Sequence, residues 1–362
     1  MRECQNMENI FSFCYTFSKE KKISEKCMTN TPKTVAVVGA GNMGTTLANL
    51  LAKNGHFIRL WDINSEILQE IGEHHTNTRY LPGVTLSSRI TPFSDLSNCV
   101  VDADFVLLVV PSLFLRETIQ KFSGLLKPGQ ILVNCAKGVE ESTLKFMVEV
   151  IEDEIPEDLH HCIADLSGPS LAKEVAEEKM TRIILVSRNQ CILPKIKVLF
   201  EEGNEYFRAG LLMDHIGVQL GGMMKNIYAL AIGICDAVDA SYNTKAFVLD
   251  AALSEMTKLG VAMGAHRETF YGLSGVGDLI ATCFSENSRN RALGKLLGSG
   301  KSLEEAMREM VMVAEGVPAT RVTKKLSQKY NVFLPVAEEM HHVLFDGYSA
   351  EQSSRALIRI IT

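Results

Sequence analysis

A glycine-rich turn between an apolar strand and an apolar helix is the feature that most constrains this chain. Residues 34–38 are apolar and mostly β-branched, and the turn after them has the spacing Gly-x-Gly-x-x-Gly at Gly39, Gly41 and Gly44. The first glycine permits a tight turn, the second lets the backbone approach a pyrophosphate, and the third lets the helix pack closely on the strand. The helix N-terminus adds free N–H groups, so the motif predicts a dinucleotide site. The alternative is an ordinary strand–turn–helix with spare glycines.

A second strand-like run supports this interpretation. Residues 57–61 are followed by Asp62, which lies 23 positions after Gly39. The acidic residue that holds the adenosine ribose is expected about 20 positions after the glycine turn. Its carboxylate accepts hydrogen bonds from a 2′-hydroxyl and repels a 2′-phosphate, so Asp62 favours NAD over NADP. The alternative is that Asp62 only caps the helix that begins after Asn64.

Apolar, strand-like runs alternate with helical stretches through the first part of the chain. These runs lie at residues 34–38, 57–61, 104–111, 130–135, 161–166 and 181–186. The run at 104–111 is too continuously apolar to alternate between faces, as is typical of parallel strands buried on both sides. The predicted fold class is α/β, with an N-terminal doubly wound Rossmann-type parallel sheet. Ligands bind such sheets at the carboxyl ends of the strands, so the loops after Val38, Val110, Cys135 and Leu166 are expected to line one crevice.

Beyond residue 207 the strand signals fade, and helical patterns rich in Gly, Ala and Met follow. Candidate helices lie near 215–238, 244–263, 274–283, 288–298, 302–309, 316–329 and 335–344. We predict a dinucleotide-binding domain over 32–208 and a mostly α-helical substrate domain over 209–362. Residues 1–31 are expected to be a disordered extension, of which 1–27 are either disordered or derived from an upstream start codon. They lack the cleavage site of a signal peptide.

Composition excludes several classes of function. The 362 residues carry a net charge of −6, so no global basic surface attracts nucleic acid or an anionic membrane. No apolar run approaches the roughly 18 residues of a transmembrane helix. The nine cysteines form no CxxC pair and lie mostly in apolar segments, which predicts reduced thiols in the cytoplasm. No spacing typical of metal ligands occurs, so no metal site is expected.

Two lysines stand out as candidates for chemistry. Lys137 directly follows a predicted strand, where it faces the crevice; the alternative is a solvated loop lysine. Lys225 lies inside an otherwise apolar helix, and burial lowers a lysine pKa until the group can act as a general acid or base. The alternative is a lysine whose ammonium group reaches the surface. Gly221 and Gly222, just before it, indicate close approach of another backbone or of a cofactor.

Three further segments carry polar residues at predicted loop or helix starts. Residues 167–170, with Ser167 and Ser170, could hold an anion on free N–H groups or simply cap a helix. Asp278 lies in a glycine-rich turn, and residues 288–290 place Ser, Arg and Asn at a helix start, a combination suited to caging a phosphate. A solvated basic patch is the alternative. Glu315 is a candidate polar contact or a helix cap.

Seven segments occur in a fixed order: GAGNMGTTLA, CAKGVE, LSGPSLAKEV, GVQLGGMMKNIYALAIGI, GVGDLIATC, SRNRALG and VAEGVPAT. Together they resemble the bacterial-type NAD(P)-dependent glycerol-3-phosphate dehydrogenases, from about Lys33 to Gly347. The resemblance implies reversible hydride transfer between a nicotinamide and C2 of dihydroxyacetone phosphate or sn-glycerol 3-phosphate. It also implies a supply of glycerol 3-phosphate for phospholipid synthesis and a homodimer.

The resemblance also implies roles for individual residues. Lys225 matches the proton donor and acceptor, and Lys137 matches a residue that touches both substrate and cofactor. Substrate contacts are implied for Lys137, Gly168, Ser170, Lys225, Asp278, Ser288, Arg289 and Asn290. Cofactor contacts are implied for Asn42, Met43, Lys137, Ala172, Arg289, Val313 and Glu315, beside Gly39, Gly41, Gly44 and Asp62 of the turn and second strand.

The chain departs from the family pattern at three places. Asn42 and Met43 stand where many members carry Ser-Trp, and Asp62 stands where many carry an arginine, which strengthens the expectation of NAD. Ala251 lies where members carry an arginine, so oligomer contacts or local charge pairing are expected to differ. Two other functions stay open: a dehydrogenase of a β-hydroxyacid or sugar phosphate, and a non-catalytic nicotinamide-binding protein that kept the fold.

Overall fold

The structure is a computed structural model that describes residues 31–310, 314–350 and 352–353. The predicted extension therefore lies almost wholly outside the described residues, as does Val313. The described residues from Lys33 onward form one compact unit. The division into two domains near residue 208 stays a prediction.

Eight strands and fifteen α-helices follow one another in the described residues. The strands are β1 Thr34–Val38, β2 Phe57–Trp61, β3 Ile90–Phe93, β4 Phe105–Leu108, β5 Ile131–Asn134, β6 Ile163–Ser167, β7 Thr181–Val186 and β8 Phe207–Leu212. The helices between them are α1 Asn42–Lys53, α2 Ser65–His74, α3 Leu96–Val100, α4 Leu115–Gln120, α5 Met147–Glu154, α6 Ala172–Ala176 and α7 Leu193–Glu201. After the last strand come α8 His215–Ala237, α9 Tyr242–Ala262, α10 Arg267–Phe270, α11 Asp278–Phe284, α12 Arg289–Gly298, α13 Leu303–Glu309, α14 Gly316–Tyr330 and α15 Pro335–Phe345.

The strands form one sheet in the order β3-β2-β1-β4-β5-β6-β7-β8. Neighbouring strands are parallel except β6 and β7, which pair antiparallel. The expectation of a doubly wound α/β sheet is thus confirmed, whereas the expectation that every strand is parallel is wrong at this pair. Because β1, β4, β5 and β6 all run the same way, their carboxyl ends meet at one edge of the sheet.

The sequence pattern did not predict two of the eight strands, β3 and β8. β3 has four residues, of which only Ile90 is buried, and it contains Pro92. A proline lacks the N–H that a central strand needs, and an edge strand tolerates it. β8 lies at the other edge and is only half buried, so it lacks the continuous apolar run that marks the central strands.

The sheet has an apolar core on each face. Val37, Leu107 and Val133 point to the face covered by α1, α2 and α7. Ala36, Val106 and Leu132 point to the opposite face, and their core continues without a break into the helices that follow β8. Alternate residues of each central strand are therefore buried on opposite sides, which explains why these strands are apolar throughout.

Helix α8 is the centre of the helical part, and nearly all of it is buried. Glycines let other elements approach it: a Cβ on Gly221 would lie 2.2 Å from the Ser274 carbonyl oxygen, and one on Gly294 would lie 2.1 Å from the Leu230 oxygen. By length and composition α8 could cross a membrane, but 94% of its most apolar stretch is buried inside the protein. That burial is typical of a core helix.

Candidate active site

The glycine turn between β1 and α1 is tightly packed at two of its three glycines. Gly39 has a φ of 110°, and a Cβ there would lie 2.6 Å from the Val109 carbonyl oxygen. A Cβ on Gly44 would lie 1.8 Å from the Gly39 oxygen, so only glycine fits. Gly41 differs, because a Cβ there would meet no protein atom within 4 Å. The open side of the turn therefore lies at Gly41.

The start of α1 is suited to a dinucleotide pyrophosphate. Gly41 is its N-cap, and no side chain satisfies the N–H groups of the first turn. The Oδ1 atom of Asn42 is buried without a protein partner. Free N–H groups and a positive helix end bind phosphate, so the residues present fit the group. Met43 packs on the core beside the turn, and the Ala172 carbonyl oxygen lies 3.4 Å from the Thr46 Oγ1 atom of α1.

Asp62 is tied to the same turn. Its Oδ2 atom accepts a hydrogen bond from the Ala40 N–H at 2.7 Å, and its Oδ1 atom accepts one from the Asn64 N–H at 2.9 Å. The helix cap is Asn64, whose side chain accepts from the Glu66 N–H. The alternative that Asp62 itself caps α2 is therefore wrong. Asp62 is half-buried at the end of β2, with its carboxylate at the glycine turn.

A carboxylate between two ammonium groups forms the centre of the site. The Lys137 Nζ atom lies 2.9 Å from the Asp278 Oδ2 atom and 3.3 Å from the Gly168 carbonyl oxygen. Lys225 Nζ pairs with the other oxygen of the same carboxylate. The Lys225 and Asp278 side chains are only 10% and 2% exposed. Lys225 therefore does not reach the surface, and the two lysines singled out in the sequence lie together.

Local structure explains this convergence. Lys137 follows β5 at the edge where the parallel strands end, and Lys225 lies in the middle of α8. A π-helical segment, Leu273–Gly277, leads directly into α11 and places Asp278 in its first turn. Gly221 lets α8 lie against that segment, and Gly222 leaves room for the Lys137 side chain, whose Cδ would be 3.3 Å from an added Cβ.

Burial and the shared carboxylate set the protonation of the three groups. Burial lowers the pKa of Lys225 to about 8, aided by the neighbouring charge of Lys137 and only partly offset by Asp278. Burial alone would lower the pKa of Lys137, but the charge and the hydrogen bond of Asp278, together with the contributions of Lys225 and Glu315, raise that pKa. Burial would raise the pKa of Asp278, but both ammonium groups hold it low. Lys225 is thus the group whose proton is exchangeable near neutral pH.

The segment with Ser288, Arg289 and Asn290 begins α12, as predicted. Ser288 is its N-cap and accepts from the Arg291 N–H at 3.3 Å, while Asn290 accepts from the Gly316 N–H at 2.8 Å. Ser288 and Asn290 are buried, whereas the basic residue between them, Arg289, is exposed. The choice between a phosphate cage and a solvated basic patch therefore stays a prediction.

Glu315 lies in the field of the same cations. Burial raises the pKa of Glu315, and the charges of Arg289, Lys137 and Lys225 partly offset this. Its side chain makes no capping hydrogen bond to α14, so the alternative role as a cap is wrong. Glu315 is therefore close enough to interact electrostatically both with Arg289 at the start of α12 and with Lys137 and Lys225.

The loop after β6 lies against Lys137. Gly168 has a φ of 101°, and its carbonyl oxygen accepts from Lys137 and, at 3.2 Å, from the Ser170 hydroxyl. The Ser167 hydroxyl is buried without a partner. Neither serine caps α6, whose N-cap is Leu171 and has no side-chain hydrogen bond. The capping alternative for these serines is therefore wrong.

Sequence reasoning missed Asn226. It is buried next to Lys225, its Oδ1 atom accepts from the Asn290 amide at 2.9 Å, and its own amide donates to the Gly222 carbonyl oxygen. A second polar residue in an apolar helix, directly beside a buried lysine, was the available signal.

The described residues contain one group of metal-ligating type, which spacing in the sequence did not reveal. The ligand atoms of His341, His342 and Asp346 lie within 4.8 Å of one another at the end of α15. The Nδ1 atoms of both histidines lie 3.2 and 2.8 Å from the Asp346 Oδ2 atom. These distances are those of ordinary imidazole–carboxylate hydrogen bonds.

Known protein families and individual relatives match this chain along nearly its whole length. The family described as NAD-dependent glycerol-3-phosphate dehydrogenase N-terminus matches residues 34–192, and its C-terminus counterpart matches residues 214–355. The chain is 43% identical over 324 residues to a glycerol-3-phosphate dehydrogenase [NAD(P)+] of Bacillus cereus, covering 90% of this chain and 95% of the relative. A Bacillus thuringiensis relative of the same name is 42% identical over the same coverage.

Among solved structures, the chain is similar to a glycerol-3-phosphate dehydrogenase from Coxiella burnetii. The two share 32% identity with a TM-score of 0.85, over 90% of this chain and 99% of the other. Fold, family match and sequence identity lead to the same assignment. The chain belongs to the NAD-dependent glycerol-3-phosphate dehydrogenase family.

Proposed function

We propose that this protein is an NAD(P)-dependent glycerol-3-phosphate dehydrogenase, interconverting dihydroxyacetone phosphate and sn-glycerol 3-phosphate. The observation that carries the proposal is the buried Lys225, with a pKa of about 8, which pairs with the same Asp278 carboxylate that binds Lys137. Family membership and the glycine turn support the cofactor. The product is a precursor for phospholipid synthesis.

Lys225 is the general acid and base. When bound, the nicotinamide supplies or accepts the hydride at C2. In reduction, the Lys225 Nζ atom donates a proton to the carbonyl oxygen as it becomes a hydroxyl, and in oxidation it takes that proton back. Asp278 holds the ammonium group in place, and a pKa near the working pH favours transfer in both directions.

The remaining polar groups hold the phosphate and orient the substrate. Arg289, Ser288 and Asn290 offer a charged fork with neutral donors at the start of α12, which suits a phosphate. Lys137 contacts the loop of Gly168 and Ser170 through the Gly168 carbonyl oxygen. Family membership implies that Lys137 contacts both substrate and cofactor, and its position as the second cation on the Asp278 carboxylate places it beside Lys225.

The turn residues hold the cofactor, with NAD preferred. The backbone at Gly41, Asn42 and Met43 would hold the pyrophosphate, and the Asp62 carboxylate would hold the adenosine ribose. A 2′-phosphate would meet the negative charge of Asp62. Asp62→Asn keeps an oxygen for the Ala40 N–H but removes that charge. We therefore expect kcat/KM with NADPH to rise about tenfold relative to NADH, and an unchanged ratio would contradict the assignment.

A homodimer and a cytoplasmic location complete the proposal. The homodimer rests on family membership, and light scattering of the purified protein tests it. The six cysteines among the described residues are free thiols, which suits a reducing compartment.

The experiment that tests the function is initial-rate oxidation of NADH and NADPH with dihydroxyacetone phosphate. A β-hydroxyacid and a sugar phosphate serve as competing substrates. Lys225→Ala should lose at least about 100-fold in kcat while still binding NADH. Lys245→Ala is the matched control, because Lys245 is also a largely buried lysine in an ion pair, with Asp236 at 2.7 Å. Activity with another substrate only, or an active Lys225→Ala, would refute the proposal.

A further inference from the structure

A second buried polar cluster lies beside the lysine pair, and the mechanism above does not use it. It consists of Asn134 at the end of β5, Asp165 on β6, and His215 and Gln219 in the first turns of α8. Asn134, Asp165 and Gln219 are 1%, 2% and 4% exposed. Burying polar side chains is unfavourable unless their hydrogen bonds are made, so this cluster is held by specific contacts.

Asp165 is the hub of the cluster. Its Oδ1 atom accepts from the Asn134 amide at 2.7 Å and from the Gln219 amide at 2.5 Å. Its Oδ2 atom lies 2.9 Å from the His215 Nδ1 atom. Asn134 and Asp165 are also directly opposite each other in the β5–β6 pairing. One carboxylate thus joins two strands of the sheet to the beginning of α8.

Two residues of the cluster, Asn134 and Gln219, lie close in the chain to Lys137 and Lys225, respectively. The Asn134 side chain holds both backbone groups of Ala136: its Oδ1 atom accepts from the Ala136 N–H and its amide donates to the Ala136 oxygen, both at 3.0 Å. Ala136 directly precedes Lys137. On the other side, Gln219 lies in α8, less than two turns before Lys225.

We propose that Asp165 is a positioning residue that, through Asn134 and Gln219, fixes the Lys137 loop against the helix that carries Lys225. Lys137 makes its contacts with Asp278 and Gly168 at 2.9 and 3.3 Å. A hydrogen bond weakens steeply beyond such distances, so a small shift of the loop separates Lys137 from Asp278. The catalytic consequence rests on the proposed function, whereas the positioning itself does not.

Loss of this positioning has a distinctive electrostatic result. The charged and titratable groups that act on or are affected by Lys225 are Asp278, Lys137, Glu315 and Cys283. If Lys137 moves away, Lys225 loses a repelling cation, and the Asp278 carboxylate then pairs with Lys225 alone. Both changes raise the pKa of Lys225 above its value of about 8. A general loss of stability would not move this pKa.

The test uses Asn134→Ala and Asp165→Asn, with Ser187→Ala as the matched control. Ser187 is buried directly after β7, and its hydroxyl donates to the Ile163 oxygen at 2.6 Å and accepts from the Asn189 N–H, so neither hydrogen bond involves the cluster. Trace acetylation of the full-length protein without cofactor, read by peptide mass spectrometry, measures the reactivity of Lys137. The pH dependence of kcat/KM for dihydroxyacetone phosphate is measured on the same variants.

Both cluster variants should make Lys137 more reactive, lower kcat/KM about tenfold or more, and move the alkaline limb to higher pH; Ser187→Ala should do none of these. If the cluster variants behave like Ser187→Ala, the positioning role is refuted. If Asp165→Asn does not fold, Asn134→Ala decides alone. If the wild type is inactive with dihydroxyacetone phosphate, the proposed function fails, and the acetylation comparison still decides the positioning.

Discussion

Alanine at Gly41 and at Gly44 should have opposite effects on folding and cofactor binding. At Gly44 the new Cβ would lie 1.8 Å from a backbone oxygen that cannot move without distorting the turn. We expect Gly44→Ala to lower the free energy of unfolding by at least about 3 kcal/mol. At Gly41 the φ is −67° and no protein atom lies within 4 Å of the added carbon. For Gly41→Ala we expect no decrease in the free energy of unfolding. It should rise by up to about 1 kcal/mol, because alanine lowers the conformational entropy of the unfolded chain.

Gly41→Ala, the variant expected to keep its stability, should be the one whose substitution directly weakens cofactor binding. The methyl group of Gly41→Ala would occupy the open space beside the Gly41 backbone, where the pyrophosphate would approach. Losing one charge-assisted hydrogen bond costs about 1.5–3 kcal/mol, which is about a 10- to 150-fold higher Kd for NADH. Thermal unfolding and NADH titration by fluorescence measure both quantities. A Gly41→Ala protein that binds NADH like the wild type would refute this placement of the pyrophosphate, and a fully stable Gly44→Ala would refute the packing argument.

Two further substitutions test the buried carboxylates. Asp278→Asn leaves two buried ammonium groups without their counter-charge, so we expect a loss of about 3–5 kcal/mol in stability and a Lys225 pKa below its present value. As a control, Asp236→Asn removes a carboxylate that pairs with Lys245, Arg291 and Lys295 and should leave the pH–rate profile unchanged. Glu255 accepts hydrogen bonds from the first two N–H groups of α15 and from the Tyr228 hydroxyl. Glu255→Ala should therefore cost about 2–4 kcal/mol in urea unfolding, and a loss below that of Tyr228→Phe would contradict this role.

The central strands and the long helices could be predicted because each leaves a continuous local pattern. The run at Thr34–Val38 and the helix at His215–Ala237 are apolar over most of their length, since both are buried on nearly all sides. The edge strands β3 and β8 leave no such pattern, because one side of each faces away from the core. The reversed direction of β7 depends on its pairing with β6, which no local sequence encodes.

The candidate site divides in the same way. The glycine turn and the lone lysine in an apolar helix are local anomalies, so residue type alone indicated Gly39, Gly44 and Lys225 as candidates. The pairing of Lys137 with Asp278 joins residues 141 positions apart. The sequence indicated each residue as a candidate, but it did not predict that the two side chains are in contact. The same limit explains why the cluster around Asp165 was missed: each of its polar residues is unremarkable until the fold buries them together.

The most direct test of the account is the pH dependence of kcat/KM in both directions between pH 7 and 10, a range above the titration of the substrate phosphate. Lys225 is protonated below its pKa of about 8 and neutral above it. Because kcat/KM reports groups of the free enzyme, reduction of dihydroxyacetone phosphate should fall above about pH 8, and oxidation of glycerol 3-phosphate should rise to a plateau there. Profiles that stay flat up to pH 10 in both directions would contradict Lys225 as the group that transfers the proton.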